Sequence, residues 1–423
     1  MDGGVPGVAD GEAEAVLGAL RRGEPALWRR PGPARLEADR APLDGGEAAD
    51  AQDRFTRFAP ALARLFPADG WDGQVRSALS PAPDGWDLWL KGDHALPIAG
   101  SVKARGGVYE VLCHVESLAG AAGVWAPGEP MLRLLEPAAV AALSRHWLAV
   151  ASTGNLGFAV GVAARAFGLR AEVHMSREAK AWKKARLRAI GVEVVEHAGD
   201  YGLAVARARE RAKTEGAYFV DDEASRRLFV GYAAAAAELA GQLRERRLEI
   251  GPKRPLVVWL PCGVGGAPGG IAAGLKRIYG ADVRVVFVEP VASACVLAAL
   301  AVGGGRPVSV YDLGLGNDTL ADGLAVASAS PLALDAIGRN IDAVAAVSDA
   351  AMLRWIARAW REAGLRLEPS AAAALAAAEL TRARAPDLVP EGAVQVAWLT
   401  GGSLLPDDEF ERLLAQAHAL PPA

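Results

Sequence analysis

Hydrophobic and polar positions change their period several times in the middle of the chain. Apolar runs with the length of buried strands lie at 147–152, 170–175, 192–197 and 217–222. Between them, apolar residues recur at helical spacing, which predicts helices over 154–168, 176–191 and 201–216. The second of these helices is expected to begin at a capping serine, Ser176, and to end at Gly191. This alternation predicts a parallel sheet flanked by helices.

A second region of the same kind begins at residue 256. The pattern there predicts a strand, a glycine-rich loop, a helix and a strand, over 256–261, 262–270, 271–280 and 283–290. A last strand, within 394–403, leads into a glycine-rich turn. We therefore expect an α/β fold with two domains, each with a mainly parallel open sheet flanked by helices. Ligands bind beyond the carboxyl ends of strands in such sheets, so the loops there are the candidate sites.

The first part of the chain carries weaker signals. Residues 1–50 are rich in Gly, Ala, Pro and Asp, which predicts a loosely ordered arm or a set of short helices. Helical spacing over 52–67 ends at a proline, and the run 86–90 predicts a short strand that leads into the segment 97–107.

Composition and charge narrow the class of protein. The chain has 423 residues, of which 23% are charged, and a net charge of -4, so nothing favours nucleic acid or an anionic membrane as a partner. The long uncharged runs 147–164 and 256–275 are interrupted by polar residues or by Pro and Gly, so neither predicts a membrane helix. The N-terminus lacks the layout of a signal peptide. We expect a cytoplasmic protein with a small-molecule substrate, and no pattern indicates whether it is a monomer or a homo-oligomer.

Cysteine and histidine usage argues against a metal or disulfide framework. The three cysteines, Cys113, Cys262 and Cys295, have no CxxC spacing, and the six histidines form no HxxxH or HExxH pair. Both observations fit a reducing compartment and argue against a zinc-dependent hydrolase.

The loop 262–270, "CGVGGAPGG", has the composition of a phosphate-binding loop. Its glycines let backbone N–H groups approach an anion, and the helix that follows adds the positive end of its dipole. It is not a Walker loop, and it resembles a dinucleotide loop only loosely, with Glu289 the one acidic candidate for a ribose contact. A tight turn without a ligand is the alternative.

The segment "STGN", residues 152–155, ends one predicted strand and begins a helix. The hydroxyls of Ser152 and Thr153, the amide of Asn155 and the free N–H groups of the helix could hold a carboxylate or a ring oxygen. Taken by itself, the segment is explained as simply by an ordinary helix cap.

Lys103, in "PIAGSVKARGG", stands where a helix is expected to begin. An exposed helix lysine is the ordinary interpretation. However, a helix N-terminus and a dry pocket both destabilise an ammonium, and a neutral amine is a nucleophile for Schiff-base chemistry. A phosphate loop, a carboxylate-binding loop and such a lysine together indicate pyridoxal 5'-phosphate (PLP) as cofactor.

Several motifs, in the same order along the chain, resemble those of the D-serine dehydratase (D-serine ammonia-lyase) family. They are "LPIAGSVKARGGVYEVL", "STGNLG", "VHMSREAKAWKKARLR", "PCGVGGAPGG", "ADGLAV", "RLEPSA" and "WLTGGS". The similarity extends from about residue 52 to the C-terminus. That family belongs to the tryptophan-synthase-like, fold type II PLP enzymes, so the resemblance implies this fold and cofactor. With it we expect a large PLP-binding domain (1–116 and 227–423, with the arm 1–50) and a small α/β domain (117–226).

The resemblance also implies the roles of single residues. Lys103 matches the lysine that forms the Schiff base, and Asn155 the asparagine beside the ring hydroxyl of the cofactor. Ser152 and Thr153 fall in the loop expected to bind the substrate carboxylate, and Thr400 matches the hydroxyl residue beside the pyridine nitrogen. The residues that match the phosphate-binding loop are Cys262, Gly263, Val264, Gly265 and Gly266.

A monovalent cation, K⁺ or Na⁺, near the phosphate loop is a further implication of the resemblance. Glu289 and Cys295 are its candidate ligands, although a carboxylate at a strand end and a buried thiol would explain these two residues equally well. The chain departs from the family pattern at Ala267, where the family has glycine, and at 327–330, "ASAS", where the family has Gly-Arg-Ala-Ser. The missing arginine bears on substrate range or on a local salt bridge.

The activity implied is dehydration and deamination of D-serine to pyruvate and ammonia, by β-elimination through aminoacrylate. The first alternative is a PLP dehydratase or racemase that acts on D-threonine, L-serine or another β-hydroxy amino acid. Two further alternatives are a dinucleotide-dependent oxidoreductase and a binding protein without activity. The preference for the D-enantiomer comes from the resemblance alone.

Overall fold

A computed structural model describes residues 10–32, 43, 45–152, 154–198, 201–302 and 304–421. Two compact units can be distinguished. The first contains the described parts of Met1–Asp44, Ser77–Ala95 and Ala235–Ala423. The second contains Gly45–Arg76 and Leu96–Ala234.

Helices and strands alternate through both units. The α-helices of the described residues are α1 (Asp10–Arg21), α2 (Gly45–Leu65), α3 (Tyr109–Ala121), α4 (Pro137–Leu143), α5 (Asn155–Ala166), α6 (Ala181–Ala189), α7 (Tyr201–Glu215), α8 (Arg226–Glu245), α9 (Gly266–Tyr279), α10 (Cys295–Ala301), α11 (Pro331–Ile337), α12 (Asp349–Ala363), α13 (Pro369–Arg384) and α14 (Asp407–His418). The strands are β1 (Ala26–Arg29), β2 (Leu79–Pro81), β3 (Trp89–Lys91), β4 (Trp147–Ala151), β5 (Arg170–Ser176), β6 (Glu193–His197), β7 (Tyr218–Val220), β8 (Leu256–Pro261), β9 (Val283–Pro290), β10 (Ala343–Val347) and β11 (Val394–Trp398).

The first unit is built on a seven-stranded sheet with the order β1-β10-β9-β8-β11-β3-β2. The strands from β10 to β3 run parallel, and β1 and β2 add antiparallel strands at the two edges. All six residues of β8 are buried, as expected for a central strand covered on both faces. Helix α13, with its run of buried alanines, packs against β8, β9, β10 and β11.

The second unit contains a four-stranded, wholly parallel sheet with the order β6-β5-β4-β7. Its strands are joined through α5, α6 and α7, which confirms the alternation predicted from the hydrophobic pattern. The order places β4 in the interior of the sheet, between β5 and β7. Because all strands run the same way, the residues that follow β4, β5 and β7 share one edge of this sheet.

Two predicted boundaries were wrong. Ser176 does not cap a helix; it is the last residue of β5, its hydroxyl accepts a hydrogen bond from the Glu178 N–H (3.2 Å), and α6 begins only at Ala181. The glycine-rich run was predicted as loop up to residue 270, whereas α9 already begins at Gly266. Buried packing of this segment outweighs the low helix propensity of its glycines.

The predicted arm, residues 1–50, contributes to the sheet of the first unit. Helix α1 leads into β1, which pairs with β10, while residues 1–9, 33–42 and 44 lie outside the described residues. The domain division predicted from the sequence remains a prediction. Its boundaries after residue 116 and before residue 227 fall within α3 and α8, so the expected small domain is narrower than the second compact unit.

The fold class predicted from the sequence is confirmed, since both sheets are mainly parallel and flanked by helices. None of the helices in the described part of the chain is both long enough and apolar enough to span a membrane.

Candidate active site

Lys103 immediately precedes an unusual helical turn in the second unit. Residues Ala104–Val108 form one π-helical turn, which continues directly into α3. Five residues before Lys103, Ile98 has φ +75°, a conformation that a β-branched residue rarely adopts. Single π-helical turns and backbone strain both occur preferentially at functional sites. The structure therefore confirms that Lys103 stands at a helix start, within a distorted segment.

The two glycines after Lys103 permit close packing of this turn. A Cβ atom on Gly106 would lie 2.3 Å from the ring of Tyr232, and one on Gly107 would lie 3.1–3.3 Å from side chains of α5. Neither glycine has a positive φ, so the requirement is for space and not for an unusual backbone angle. The "ARGG" run thus brings the turn that follows Lys103 against α5 and α8.

The amine of Lys103 has a carboxylate partner that the sequence analysis did not identify. Its Nζ lies 3.2 and 3.3 Å from the two carboxylate oxygens of Asp222 and 5.8 Å from the centre of the Tyr232 ring. The Lys103 side chain is 20% exposed and that of Asp222 11% exposed. Asp222 follows β7 at the carboxyl edge of the sheet, and this position was the available signal in the sequence.

A buried carboxylate on α3 holds the segment that carries Asp222. Glu110 accepts hydrogen bonds from the hydroxyls of Tyr218, in β7, and Ser225, at the start of α8. These two residues flank Asp222 in the chain. Burial raises the pKa of the Glu110 carboxyl, and the two hydroxyl donors partly offset this rise. Glu110 therefore connects the helix that begins at Lys103 to the loop of its partner.

Ser152 and Asn155 lie at the same edge of the sheet, after β4. Ser152 Oγ accepts hydrogen bonds from the N–H groups of Gly154 (3.0 Å) and Gly157 (2.9 Å). It therefore satisfies an N–H of the first turn of α5, although the cap position itself is Gly154. The hydroxyl proton of Ser152 is left to be donated to another acceptor. Asn155 is the first residue of α5. Thr153 lies outside the described residues.

The pairing of β4 with β7 places Ser152, in the predicted substrate loop, beside Asp222 along the strand direction. Val150 of β4 pairs with Val220 of β7 in parallel register, so Ser152 and Asp222 each follow their strand by the same distance. Lys103, Asp222, Ser152 and Asn155 therefore share the carboxyl edge of the sheet in the second unit.

The predicted phosphate loop lies at the corresponding edge of the first unit, between β8 and α9. A Cβ on Gly263 would meet the Gly323 carbonyl oxygen at 3.1 Å, and Gly265 has φ +108°, so both positions favour glycine. The cap residue of α9 is Gly265, which has no side chain to accept from the first N–H groups of the helix, and such N–H groups are suited to an anion. Ala267 lies inside the first turn of α9 and has no positive φ, which explains why alanine is tolerated there.

Thr400 follows β11, the strand that lies beside β8 in the same sheet. Ala397 of β11 pairs with Trp259 of β8, so the parallel register brings Thr400 level with Cys262. The Thr400 side chain is buried and, within the described part of the chain, its Oγ1 has no hydrogen-bond partner; the same is true of Ser370 Oγ. Buried hydroxyls without partners are uncommon and call for a ligand atom or an ordered water. A phosphate cradle and an orphaned hydroxyl fit the phosphate and the ring nitrogen of PLP, so the residues present suit this cofactor.

The candidate cation ligands contact each other and the start of α10. The Glu289 carboxylate accepts hydrogen bonds from the N–H groups of Val296 (2.8 Å) and Leu297 (2.9 Å), and Cys295 Sγ lies 3.4 Å from Glu289 Oε1. Burial raises the pKa of Glu289 to about 7. Among the described residues, no group of three or more His, Cys, Asp or Glu side chains could hold a metal ion.

The segment that departs from the family pattern, 327–330, supports the phosphate loop. Ser330 donates its N–H to the Val264 carbonyl oxygen (2.8 Å), and its hydroxyl accepts from the Ala333 N–H (3.1 Å) to cap α11. The chain therefore retains a link between this segment and the loop without the arginine.

Comparison with known proteins shows the family of this chain. Residues 76–401 match the family model described as pyridoxal-phosphate dependent enzyme. A probable D-serine dehydratase from Burkholderia thailandensis is 48% identical over 424 residues, which cover 96% of this chain and 95% of that protein. Another from Rhizobium etli is 42% identical, with 94% of each chain covered.

The fold is also shared with solved structures of low sequence identity. The crystal structure of diaminopropionate ammonia lyase from Escherichia coli in complex with D-serine superimposes with a TM-score of 0.72 at 17% identity, and covers 94% of this chain and 98% of that one. The chain belongs to the family of pyridoxal-phosphate-dependent enzymes, in which its relatives of 42–48% identity are probable D-serine dehydratases.

Proposed function

We propose that this protein is a D-serine ammonia-lyase, which converts D-serine to pyruvate and ammonia by PLP-dependent β-elimination. The observation that carries this proposal is the identity of 48% to a probable D-serine dehydratase over nearly the full length of both chains. The name of that relative supplies the substrate. The structure supplies a partly buried primary amine on Lys103, and a primary amine is the group from which a lysine forms a Schiff base.

In this proposal Lys103 binds the cofactor aldehyde, Asn155 contacts the ring hydroxyl, and Thr400 Oγ1 donates to the pyridine nitrogen. The backbone N–H groups of the segment 262–266 hold the phosphate. When bound, PLP supplies an aldehyde that captures the substrate amine and a ring that withdraws electrons as the Cα proton leaves. A neutral threonine beside the ring nitrogen makes the ring a weaker electron sink, which favours rapid elimination.

Lys103 is then the base that takes the Cα proton, and Asp222 holds the Lys103 amine in position and stabilises its protonated form. The hydroxyl of Ser152, together with Thr153, contributes to binding the substrate carboxylate. The proton that Lys103 takes from Cα goes to the leaving β-hydroxyl, which departs as water. The released aminoacrylate then reacts with one water to give pyruvate and ammonia.

We also propose that a monovalent cation, K⁺ or Na⁺, binds beside Glu289 and Cys295. The Glu289 carboxylate and the Gly263 carbonyl oxygen lie 3.4 and 3.6 Å from Cys295 Sγ, and oxygen atoms of this kind are the ligands that such hard cations take. Activity in KCl should exceed activity in tetramethylammonium chloride at equal ionic strength, because the larger cation cannot enter. Equal activities in the two salts would exclude a cation requirement.

The test of the main proposal is a chiral-substrate assay on the PLP-loaded protein. Pyruvate should form from D-serine much faster than from L-serine. Formation of the corresponding oxo acid from D-threonine tests the alternative that the protein acts on that amino acid. Lys103→Ala should lose both turnover and the visible absorption of the bound cofactor, whereas the exposed Lys213→Ala should keep both. A Lys103→Ala protein that is yellow and active would refute the assignment of Lys103 as the Schiff-base lysine. A preference for L-serine would refute D-serine as the substrate.

A further inference from the structure

A buried acid lies at the start of α3, just after the π-helical turn that follows Lys103. Glu110 is the second residue of α3, and only 1% of it is exposed. A carboxylate is costly to bury unless hydrogen bonds compensate the loss of water, so its partners indicate what it does. The proposed mechanism assigns no role to this residue.

Each oxygen of the Glu110 carboxylate accepts a hydrogen bond from one hydroxyl. Tyr218 donates to Oε1, and Ser225 donates to Oε2. Both hydroxyls also accept a hydrogen bond, Tyr218 from Arg227 Nη1 (3.1 Å) and Ser225 from the Leu228 N–H (3.2 Å). Because each hydroxyl has a donor on one side and the carboxylate on the other, its proton is directed to Glu110.

The two hydroxyls stand on either side of Asp222 in the chain. Tyr218 is the first residue of β7, Ser225 immediately precedes α8, and Asp222 lies in the connection between that strand and that helix. Glu110 therefore holds both ends of this connection, while the Lys103 amine contacts its middle, 3.2 Å from Asp222 Oδ2. One continuous helical segment carries both Lys103 and Glu110, so the same element contacts the connection in two ways.

A second attachment of the same connection is more exposed. Arg209, on α7, pairs with Asp221 (2.7 Å) and Glu223 (3.8 Å), and its side chain is 51% exposed. An exposed ion pair contributes little, because water and salt screen it. Removing Glu110 instead leaves two hydroxyl donors without their acceptor in a largely buried place, which is the more costly loss. The bonds of Glu110 are therefore the stronger restraint on the position of this connection.

We infer that Glu110 is a positioning residue for the reaction: by holding the connection between β7 and α8, it fixes Asp222 against the Lys103 amine. This inference rests on the proposed function, in which Lys103 takes the Cα proton and Asp222 stabilises the protonated amine. Because Glu110 acts through Asp222, its loss should lower kcat. KM for D-serine and the binding of PLP should stay nearly unchanged.

Three substitutions on α3 test this role. Glu110→Ala removes both hydrogen bonds, and Glu110→Gln keeps the size of the side chain and an acceptor oxygen. Glu116→Ala is the matched control, since Glu116 lies on the same helix and accepts hydrogen bonds from Arg54 (2.6 Å) and Arg57 (2.9 Å) of α2. Thermal unfolding and the visible spectrum of bound PLP establish that each variant is folded and loaded.

We expect Glu110→Ala to lower kcat for D-serine about tenfold, with KM within about threefold of the unsubstituted protein. Glu110→Gln should keep at least about a third of kcat, because its amide still links the two hydroxyls. Glu116→Ala should keep kcat within about twofold, although it also breaks buried contacts of α3. An unchanged kcat in Glu110→Ala, or an equal fall in Glu116→Ala, would overturn the inference.

A double-mutant cycle with Asp222→Asn distinguishes positioning from a general loss of structure. If Glu110 acts through Asp222, then adding Glu110→Ala to Asp222→Asn should change kcat by less than about twofold. Full multiplication of the two separate effects would contradict the inference. Tyr218→Phe and Ser225→Ala each remove one of the two bonds and should lower kcat about threefold, with the same dependence on Asp222. These two variants carry the test if Glu110→Ala does not fold.

A measurement without substrate separates this inference from the proposed reaction. Hydrogen exchange of the backbone amides of residues 221–225, followed by mass spectrometry on the PLP-loaded protein, reports how firmly the connection is held. Exchange there should be about tenfold faster in Glu110→Ala and unchanged in Glu116→Ala. Equal exchange in Glu110→Ala and the unsubstituted protein would overturn the inference. If the unsubstituted protein fails to convert D-serine, the proposed function is wrong, while these exchange rates still decide whether Glu110 holds the connection.

Discussion

The Lys103 amine lies 3.2 Å from Asp222 Oδ2, although the two residues are 119 positions apart in the chain. This ion pair joins the start of the π-helical turn to the loop after β7. It gives the candidate nucleophile a charge partner at the carboxyl edge of the sheet, where ligands of open α/β folds bind.

Replacing Asp222 should impair turnover more than cofactor binding. Asp222→Asn keeps the size and a hydrogen-bond acceptor, but an amide cannot stabilise the protonated amine after proton transfer. We expect kcat for D-serine to fall by about tenfold or more, with the visible absorption of bound PLP retained. Steady-state kinetics and the spectrum of the same sample measure both. Loss of the visible absorption would instead indicate that Asp222 is needed for cofactor binding.

Gly106→Ala should disrupt the turn after Lys103. The new Cβ would overlap the Tyr232 ring, and Tyr232 is fully buried and has no room to yield. We expect a loss of about 1–3 kcal/mol in the free energy of unfolding, together with weaker PLP binding. In Gly120→Ala, the added methyl group meets no atom within 4 Å, so this control in the same region should be as stable as the original or slightly more stable. Equal stability of both variants would contradict the packing argument.

Thr400→Val should have opposite effects on the apo-protein and on cofactor affinity. The Thr400 hydroxyl is buried without a partner in the described structure, so its removal should raise the stability of the apo-protein by about 1 kcal/mol. If Thr400 donates to the cofactor, the same change should weaken PLP binding about fivefold to tenfold. Thermal unfolding without PLP and titration with PLP provide the two measurements.

Thr381→Val is the matched control for this pair of effects. Thr381 is fully buried, donates to the Ala377 carbonyl oxygen (2.6 Å) and accepts from Trp259 Nε1 (3.1 Å). Its substitution should therefore destabilise the protein and leave PLP affinity unchanged. If Thr400→Val bound PLP as tightly as the original, the hydroxyl would have no role at the ring.

His174 should make the protein sensitive to acid. It is fully buried in β5, where its Nδ1 lies 2.8 Å from His197 Nε2, and burial lowers the pKa of His174 from 6.5 to about 4. The unfolded chain therefore binds a proton below about pH 6.5 that the folded chain does not bind until about pH 4, so stability falls as the pH falls through this window.

As the pH falls from about 7.5 to 5, His174 should lower the free energy of unfolding by roughly 2 kcal/mol. His174→Asn keeps a hydrogen-bonding atom toward His197 and should lose less stability over the same range, as measured by urea unfolding at each pH. A substitution of the exposed His146 should leave the acid sensitivity unchanged. Identical pH dependence in His174→Asn and the unsubstituted protein would rule out His174 as the cause.

Local patterns in the sequence were sufficient for the strands and helices around the candidate site. Apolar runs identified β4, β5, β8 and β9 because central strands of a parallel sheet are buried on both faces. The polar or glycine-rich segments after β4 and β8 were recognised because a strand must be followed by a connection at the ligand-binding edge. The helix start at Lys103 was likewise predictable from its flanking residues.

Boundaries that depend on packing were not predictable in this way. Ser176 has the residue type of a helix cap, yet it ends β5 because the strand continues its pairing with β6 as far as His197. The glycines at the start of α9 have low helix propensity, and only their burial in the first unit makes them helical. Local preference is weak, and tertiary contacts overrule it.

The sequence by itself determined the fold class and identified Lys103 as the candidate nucleophile and 262–266 as the candidate phosphate loop, because these depend on residue types close together in the chain. Only the tertiary structure revealed Asp222 as the partner of Lys103 and Lys183 as the side chain against Gly154. The Lys103 contact joins the π-helical turn before α3 to the loop after β7. The Lys183 contact joins the segments after β4 and β5, which are neighbours because of the strand order. No local pattern encodes that order, because it is set by how the whole sheet buries its apolar surface.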